Sequence, residues 1–220
     1  MRLYNSDGSQ NKSILPIVLL IIVAAVVILN FEPPGKRAAI GGIPDPVQKA
    51  ANGSTVIHRD GYSVAVTYLY EYEIDALVLS THKYPGYNVL DKLAPKDLAL
   101  GWGPVAQYNT SIDFHWGQSG RFYFWHTDTL EEIAPVGYEA GVNTHSANCH
   151  IIAADTVTKR MIDKMKKGDH IKLKGYLVNI DANPNKPSDP TYYWRSSTTR
   201  EDTGDGACEL IYVTQAQIIK

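Results

Sequence analysis

From Tyr62 to Val78 every even-numbered position is apolar or aromatic, while the odd positions include Ser63, Thr67, Glu71, Glu73 and Asp75. Alternation with period two predicts a strand that lays one face on a core and turns an acidic face to water. A straight strand of that length would exceed about 50 Å, too long for a small domain. The chain must therefore bend strongly or break near Glu73 to Asp75, and a strand curling around a barrel meets both demands.

Further strands are expected at Arg121 to Thr127, Cys149 to Ala153, Ile171 to Ile180, Thr191 to Ser196 and Glu209 to Ile219. In the third, Ile171 and Leu173 alternate with Lys172 and Lys174 as far as Gly175, after which Tyr176, Leu177 and Val178 are all apolar. A bulge or tight bend at Gly175 accounts for the change. One amphipathic helix, about residues 156–167, interrupts the strands. Asp155 or Thr156 caps it, Val157, Met161 and Met165 recur on one face with Ile162 beside them, and Lys164, Lys166 and Lys167 sit at its negative end before Gly168. A shorter helical turn is expected around Pro95 to Leu100, stopped by Gly101. These elements predict a mainly β, antiparallel domain, with a partly open barrel of the oligonucleotide/oligosaccharide-binding kind as the specific topology.

Ahead of this domain, residues 13–31 carry no charged side chain. As a helix this run covers roughly 28 Å, against a hydrocarbon core of about 30 Å. Pro16 lies in its first turn and Asn30 at its far end, where neither opposes a spanning helix. A cleaved export signal is the competing reading, but the apolar core is long for one and no small-x-small site follows. The expected organisation is a tail over residues 1–12, a single transmembrane helix over 13–31, a Pro/Gly-rich linker over 32–54 and a soluble strand-rich domain over 55–220. Arg2 and Lys12 nearly balance Lys36 and Arg37 across the span, so the positive-inside count decides little. A short leading tail and a large following domain favour a periplasmic or otherwise extracytoplasmic domain. Residues 32–54 show neither helical nor strand periodicity and read as a flexible spacer.

The formal net charge is −2, and the one dense basic run has a structural cause at the end of the expected helix. The chain thus lacks the basic footprint of a nucleic-acid binder. The two cysteines, Cys149 and Cys208, pair in an oxidising compartment or else remain buried thiols that behave as small hydrophobes.

Several segments invite a chemical reading. His115, His126, His145 and His150 fall in one window with Asp113 and Cys149, but their spacings match no pattern that a helix or strand would bring together around zinc, and ordinary half-buried histidines explain them better. No metal and no cofactor is expected. Cys208 with His145 or His150 would make a thiol nucleophile and base, yet nothing local enforces that meeting. Asp202-Thr203-Gly204 has the triplet of aspartic proteases without the apolar strand before it. Asp181, Asn183 and Asn185 start like a calcium loop, but Lys186 and Tyr192 occupy positions that need glycine and glutamate. The segments from His145 to His150 and from Trp194 to Glu209 gather Trp, Arg, Asn, Ser and Asp at strand ends. They form either a polar ligand site or a pair of internally bonded loops. His145, Asn148, His150, Trp194, Arg195, Arg200 and Asp202 are the candidate ligand-binding residues, and no residue is assigned a catalytic role.

The blocks DLALGWGP (97–104), RFYFWH (121–126), HSANCHIIAA (145–154), GYLV (175–178) and WRSSTTREDTGDGACELIYV (194–213) resemble the signature blocks of a family of uncharacterised bacterial proteins. Its members usually carry a membrane segment followed by one such domain, and the resemblance covers roughly residues 64–213. It implies the anchored architecture but no activity. The family pattern has Met at the position of Cys149, Pro at Ala153 and Leu at Thr198, so a Cys149–Cys208 disulfide would be particular to this protein.

The function expected is therefore a membrane-anchored envelope domain that binds a protein partner or a small polar ligand, or takes part in assembling a larger complex. It contacts membrane lipid through residues 13–31 and binds no nucleic acid. The alternative is a hydrolase that uses Cys208 or a histidine/zinc site.

Overall fold

The computed structural model describes residues 36–202, 204 and 206–219. The expected transmembrane segment, residues 13–31, lies outside them. Among the described residues no helix is long and apolar enough to cross a membrane. The elements run β1 (Val47–Ala50), β2 (Ser54–Arg59), β3 (Tyr62–Lys83), α1 (Val89–Leu93), β4 (Lys96–Gly101), α2 (Gly103–Tyr108), β5 (Gly117–Ser119), β6 (Phe122–Phe124), a 3-10 helix (Leu130–Val136), α3 (Tyr138–Thr144), β7 (Ser146–Ala153), α4 (Thr156–Lys164), β8 (His170–Pro184), β9 (Tyr192–Trp194) and β10 (Glu209–Ile219). The domain is mainly β.

The alternating segment forms one long strand. In β3 the side chains of Tyr62, Val64, Val66, Tyr72, Ile74, Ala76 and Val78 are buried. The acidic face is partly covered rather than simply wet, because Glu73 pairs with Lys172 at 2.6 Å and Lys174 at 2.8 Å on β8, and Asp75 meets His170. The strand does not break at Glu73 to Asp75. It absorbs its curvature at two register shifts, between Tyr68 and Tyr70 against β8 and between Val78 and Ser80 against β4.

The strand order is β1-β3-β4-β7-β10-β8-β9, with β3 also pairing β8. All pairings are antiparallel except β7 with β10. Because β3 hydrogen-bonds β8 along most of its length and β4 at its end, the sheet curls partly into a ring. It does not close as a barrel. The expected bend at Gly175 is displaced onto the neighbouring strand: the register shifts between Val213 and Gln215 in β10, opposite Gly175. A Cβ at Gly175 would stand 2.0 Å from the Tyr212 carbonyl oxygen, so the glycine admits a close backbone approach where β10 bulges.

Several helical expectations need correction. The amphipathic helix ends at Lys164 instead of Lys167, leaving Lys166 and Lys167 beyond it, and it is not the only helix. Asp155 caps it as expected, accepting from the Val157 and Thr158 amides. Its buried face is Thr158, Ile162 and the capping Met165, whereas Val157 is 66% exposed. The carbonyls of Ile162, Asp163 and Met165 at its end accept hydrogen bonds from the buried Lys96 ammonium at 3.1, 3.2 and 2.5 Å. A cation there satisfies orphan carbonyls and complements the helix dipole. The segment 95–100, expected as helix, falls almost entirely in strand β4, and all six residues of that strand, Lys96–Gly101, are buried. A strand covered on both faces loses the alternation that would mark it.

The described part of the expected spacer lies along the domain. The Arg37 guanidinium donates to the carbonyls of Asn109 at 2.9 Å and Ile112 at 2.5 Å and pairs with Asp113 at 2.9 Å. Ile43 is buried, and residues 47–50 add β1 to the edge of β3. Long-range partners that composition does not reveal supply this order.

Candidate functional site

The β5–β6 hairpin turns on Gly120 and Arg121, both with positive φ (58° and 75°). Two consecutive left-handed residues suit a tight two-residue hairpin loop, although the conformation costs a non-glycine residue free energy. At Arg121 that cost is offset by an anchoring network. Its guanidinium donates to Asp97 Oδ1 at 2.8 Å, Asp91 Oδ1 at 2.7 Å and the Ala94 carbonyl at 2.8 Å, and lies 3.4 Å from the centre of the Tyr84 ring. Its amide donates to the Tyr84 hydroxyl, which in turn donates to Asp97 Oδ2 at 2.8 Å. Its carbonyl accepts from Asn148 Nδ2 at 2.8 Å and from the Cys208 thiol at 3.7 Å. Burial, and then the Asp97 charge, raise the Tyr84 phenol well above its usual range.

The hairpin held in this way separates two depressions that share Phe122 and Cys208. The larger, about 290 Å³, lies between the aromatic strand β6 with Trp125, the start of β7, and the loop that leads into β10. Arg200, Asp202 and Glu209 line it together with Phe122, Phe124 and Trp125. Glu209 is only 5% exposed, and its Oε2 has no hydrogen-bond partner. Burial pushes its carboxyl up to about 8, opposed by a hydrogen bond from its own backbone amide, with Asp202 adding to the rise and Arg200 opposing it. Asp202 accepts from the Ser197 hydroxyl at 2.8 Å. Arg200 donates to the Pro46 carbonyl at 2.7 Å and stands 5.8 Å from the Trp102 ring. The smaller depression, about 260 Å³, is lined by Arg121, His150, Tyr193, Trp194, Arg195 and Cys208. His150 Nδ1 is 2.9 Å from Asp97 Oδ2, a close electrostatic contact without the alignment of a hydrogen bond, and its ring packs 4.4 Å from Trp194.

The structure distributes the seven sequence candidates unequally. Arg200 and Asp202 line the larger cleft, and His150, Trp194 and Arg195 the smaller depression. Arg195 is occupied by Asp181 at 2.5 Å and the Ile180 carbonyl at 2.6 Å. Asn148 is buried between them as a brace, taking a hydrogen bond from Gln118 and giving one to Arg121. His145 lines neither: its Nδ1 lies 2.8 Å from the Gly141 carbonyl and its ring packs under Gly103. Cys149 and Cys208 are free thiols, so the structure has no disulfide between them. Burial raises both, Cys208 to about 11. His115 and His126 stack at 4.4 Å, but among the described residues no group of three or more His, Cys, Asp and Glu could hold a metal ion.

Asp97, Arg121, Phe124, Trp125 and Glu209 were missed as site residues. Two of them left a signal. Period two places Glu209 on the same face as Ile211 and Val213, which marks a buried acid, and Asp97 opens an otherwise apolar run. No protein-family model, curated protein or solved structure matches the chain.

Proposed function

We propose that the protein is a membrane-anchored, extracytoplasmic binding module whose domain takes a small polar ligand in the larger cleft without covalent chemistry. The observation that carries this reading is the Glu209 carboxyl, which lines a cleft walled by Phe122, Phe124 and Trp125 and whose Oε2 lies buried behind the cleft surface without a hydrogen-bond partner. A buried polar atom without a partner costs about 1–3 kcal/mol, a cost that a ligand donor would relieve. The strand order supports the finer topology. The run β3-β4-β7-β10-β8, parallel only at β7–β10 and with α4 between β7 and β8, follows the plan of a partly open oligonucleotide/oligosaccharide-binding fold. On that plan the loop from β8 to β10, which carries Arg200 and Asp202, is one of the loops that contact ligand. The charge balance favours a small polar ligand over a nucleic acid.

Saturation-transfer NMR of a library of small polar compounds against the full chain in nanodiscs tests the cleft. Compounds that bind are expected to lose their signal in Phe124→Ser, a substitution at a side chain 52% exposed and therefore tolerable to the fold. No binding, or binding indifferent to Phe124→Ser, overturns the reading. Alkaline carbonate is expected to leave the chain in the membrane pellet, and release into the supernatant refutes the anchor.

The hydrolase alternative has one observation in its favour, that His150 and Cys208 line the same depression. Thiol catalysis needs a thiolate. With its thiol raised to about 11 and donating to the Arg121 carbonyl, Cys208 is expected to react with iodoacetamide at pH 7 about 100-fold more slowly than an ordinary exposed cysteine. Labelling as fast as a free thiol, followed in the native protein by mass spectrometry, would revive the alternative.

A further inference from the structure

The larger cleft combines two features that share one ligand preference. Its walls expose aromatic rings, Phe122 at 46% and Phe124 at 52%, and its polar side carries two carboxyl groups, Asp202 and the buried Glu209 with its unpartnered oxygen. Among the described residues the one cation lining it, Arg200, is drawn to the Pro46 carbonyl and toward Asp45 at 4.0 Å. An anion would meet Asp202 and leave Glu209 without compensation. Aromatic faces and carboxylates both attract a positive charge. Two carboxyl groups among aromatic walls suit an organic cation better than a metal ion, which asks for six or more oxygen ligands in the case of calcium.

Resting on the reading of this cleft as a ligand site, we propose that it recognises an organic cation: a compact ligand that presents an ammonium group to Glu209 and Asp202 and rests its apolar body on Phe122, Phe124 and Trp125. The ammonium keeps its protons, and Glu209 gives its own to solvent when the charge arrives, so the carboxylic acid becomes a carboxylate paired with the ligand. Asp202 and Arg200 face Glu209 from the loop, Tyr72 from β3, Tyr123 from β6 and Cys149 from β7, with Cys208 adjacent. Of these, burial raises both tyrosines and both thiols. Glu209, raised to about 8, is the group that releases a proton between pH 6 and 8.

Three probes of one shape and different charge test the proposal: benzylamine, benzyl alcohol and benzoate, titrated calorimetrically into the full chain in nanodiscs, with empty nanodiscs as the reference. Benzylamine is expected to bind at least tenfold more tightly than the other two. Repeated at pH 7 in buffers of different ionisation enthalpy, its binding is expected to release close to one proton, and its affinity to rise about tenfold per pH unit from 6 toward 8. Glu209→Gln, which keeps the side-chain shape, is expected to abolish the proton release and weaken benzylamine at least tenfold, and Phe124→Ser to weaken it with the proton release retained. Equal or tighter binding of benzoate or benzyl alcohol overturns the cation proposal. So does benzylamine binding with no proton release, or with Glu209→Gln indistinguishable from the natural protein. If none of the three binds while library compounds still respond to Phe124→Ser, the cation proposal fails and the ligand site stands. If the library also yields nothing, both fail.

Discussion

Arg121→Gly is expected to lower the stability of the domain by about 3–5 kcal/mol, the range for removing one member of a buried ion pair. Glycine takes the positive φ of this turn position without strain, so the hairpin backbone is preserved and the loss reports on the side chain. What remains is Asp97, with no exposed surface, facing among the described residues the Tyr84 hydroxyl and the poorly aligned His150 ring. Its own charge is then the main cost. Asp97→Asn in the Arg121→Gly background is therefore expected to recover part of the loss, although Asp97→Asn alone also destabilises. Urea unfolding of the full chain in detergent micelles, followed by tryptophan fluorescence, measures all three variants. Additive losses would mean that the two side chains do not act as a pair. Because this network positions the hairpin that divides the two depressions, Arg121→Gly is also expected to weaken binding in the larger cleft, even though Arg121 does not line it.

The second large effect is a dependence on pH. Glu209 is raised to about 8 in the folded protein against an ordinary value near 4.5. Between these values the folded state holds a proton that the unfolded state has released, so the favourable contribution is complete below about pH 4.5 and is lost as pH rises through about 8. Other carboxylates oppose the trend: Glu73, Asp113 and Asp155 are lowered, and they destabilise the fold as pH falls. The informative quantity is thus the difference from Glu209→Gln, which cannot ionise. Relative to that variant, the natural protein is expected to lose roughly 3 kcal/mol between pH 4.5 and pH 7. Urea midpoints measured for both proteins from pH 5 to 8 should diverge steadily. Parallel curves would show that Glu209 ionises as freely in the fold as outside it.

The two predictions link stability to function. A buried acid with one oxygen left unpartnered is a poor choice for stability alone, and Glu209 stands on a face where Ile211 and Val213 pack into the core. The same desolvation that lowers stability as pH rises raises the value of a cationic partner, since a charge arriving in the cleft replaces the missing solvation. The Arg121 network holds the aromatic wall opposite.

How much of this the chain declares in advance depends on how local each cause is. The strand nature of Tyr62 to Val78 was legible because alternation is a property of neighbouring residues, and β10 was placed at Glu209–Ile219 for the same reason; the continuation of β3 to Lys83 was not. The cap at Asp155 was legible because a side chain reaches only two or three amides. The strand at Lys96–Gly101 was not, because a segment buried on both faces has no period, and its environment is set by β3 and β7. The end of α4 falls elsewhere because three lysines close together, Lys164, Lys166 and Lys167, suit a helix terminus, whereas the stop comes from Met165 turning inward and from Lys96, distant in sequence, taking the last carbonyls. The polar segment from Trp194 to Glu209 was recognised as a candidate region, but its residues divide between two depressions, and His145 belongs to neither.

What the sequence by itself determined is the period of each exposed or half-exposed element, the local caps, the absence of a basic footprint and the uncharged run at residues 13–31. Those depend on residues a few positions apart and on composition. Only the tertiary structure decided which strands pair, that the sheet curls without closing, that residues 47–50 extend its edge while Arg37 and Ile40 dock beside α2, and that Arg121, Asp91 and Asp97 meet. It also decided that Glu209 and Asp202 share one cleft with Phe122, Phe124 and Trp125. Such meetings depend on register across a twisted sheet, where a shift of one residue turns a side chain from core to solvent, and no local pattern records that choice.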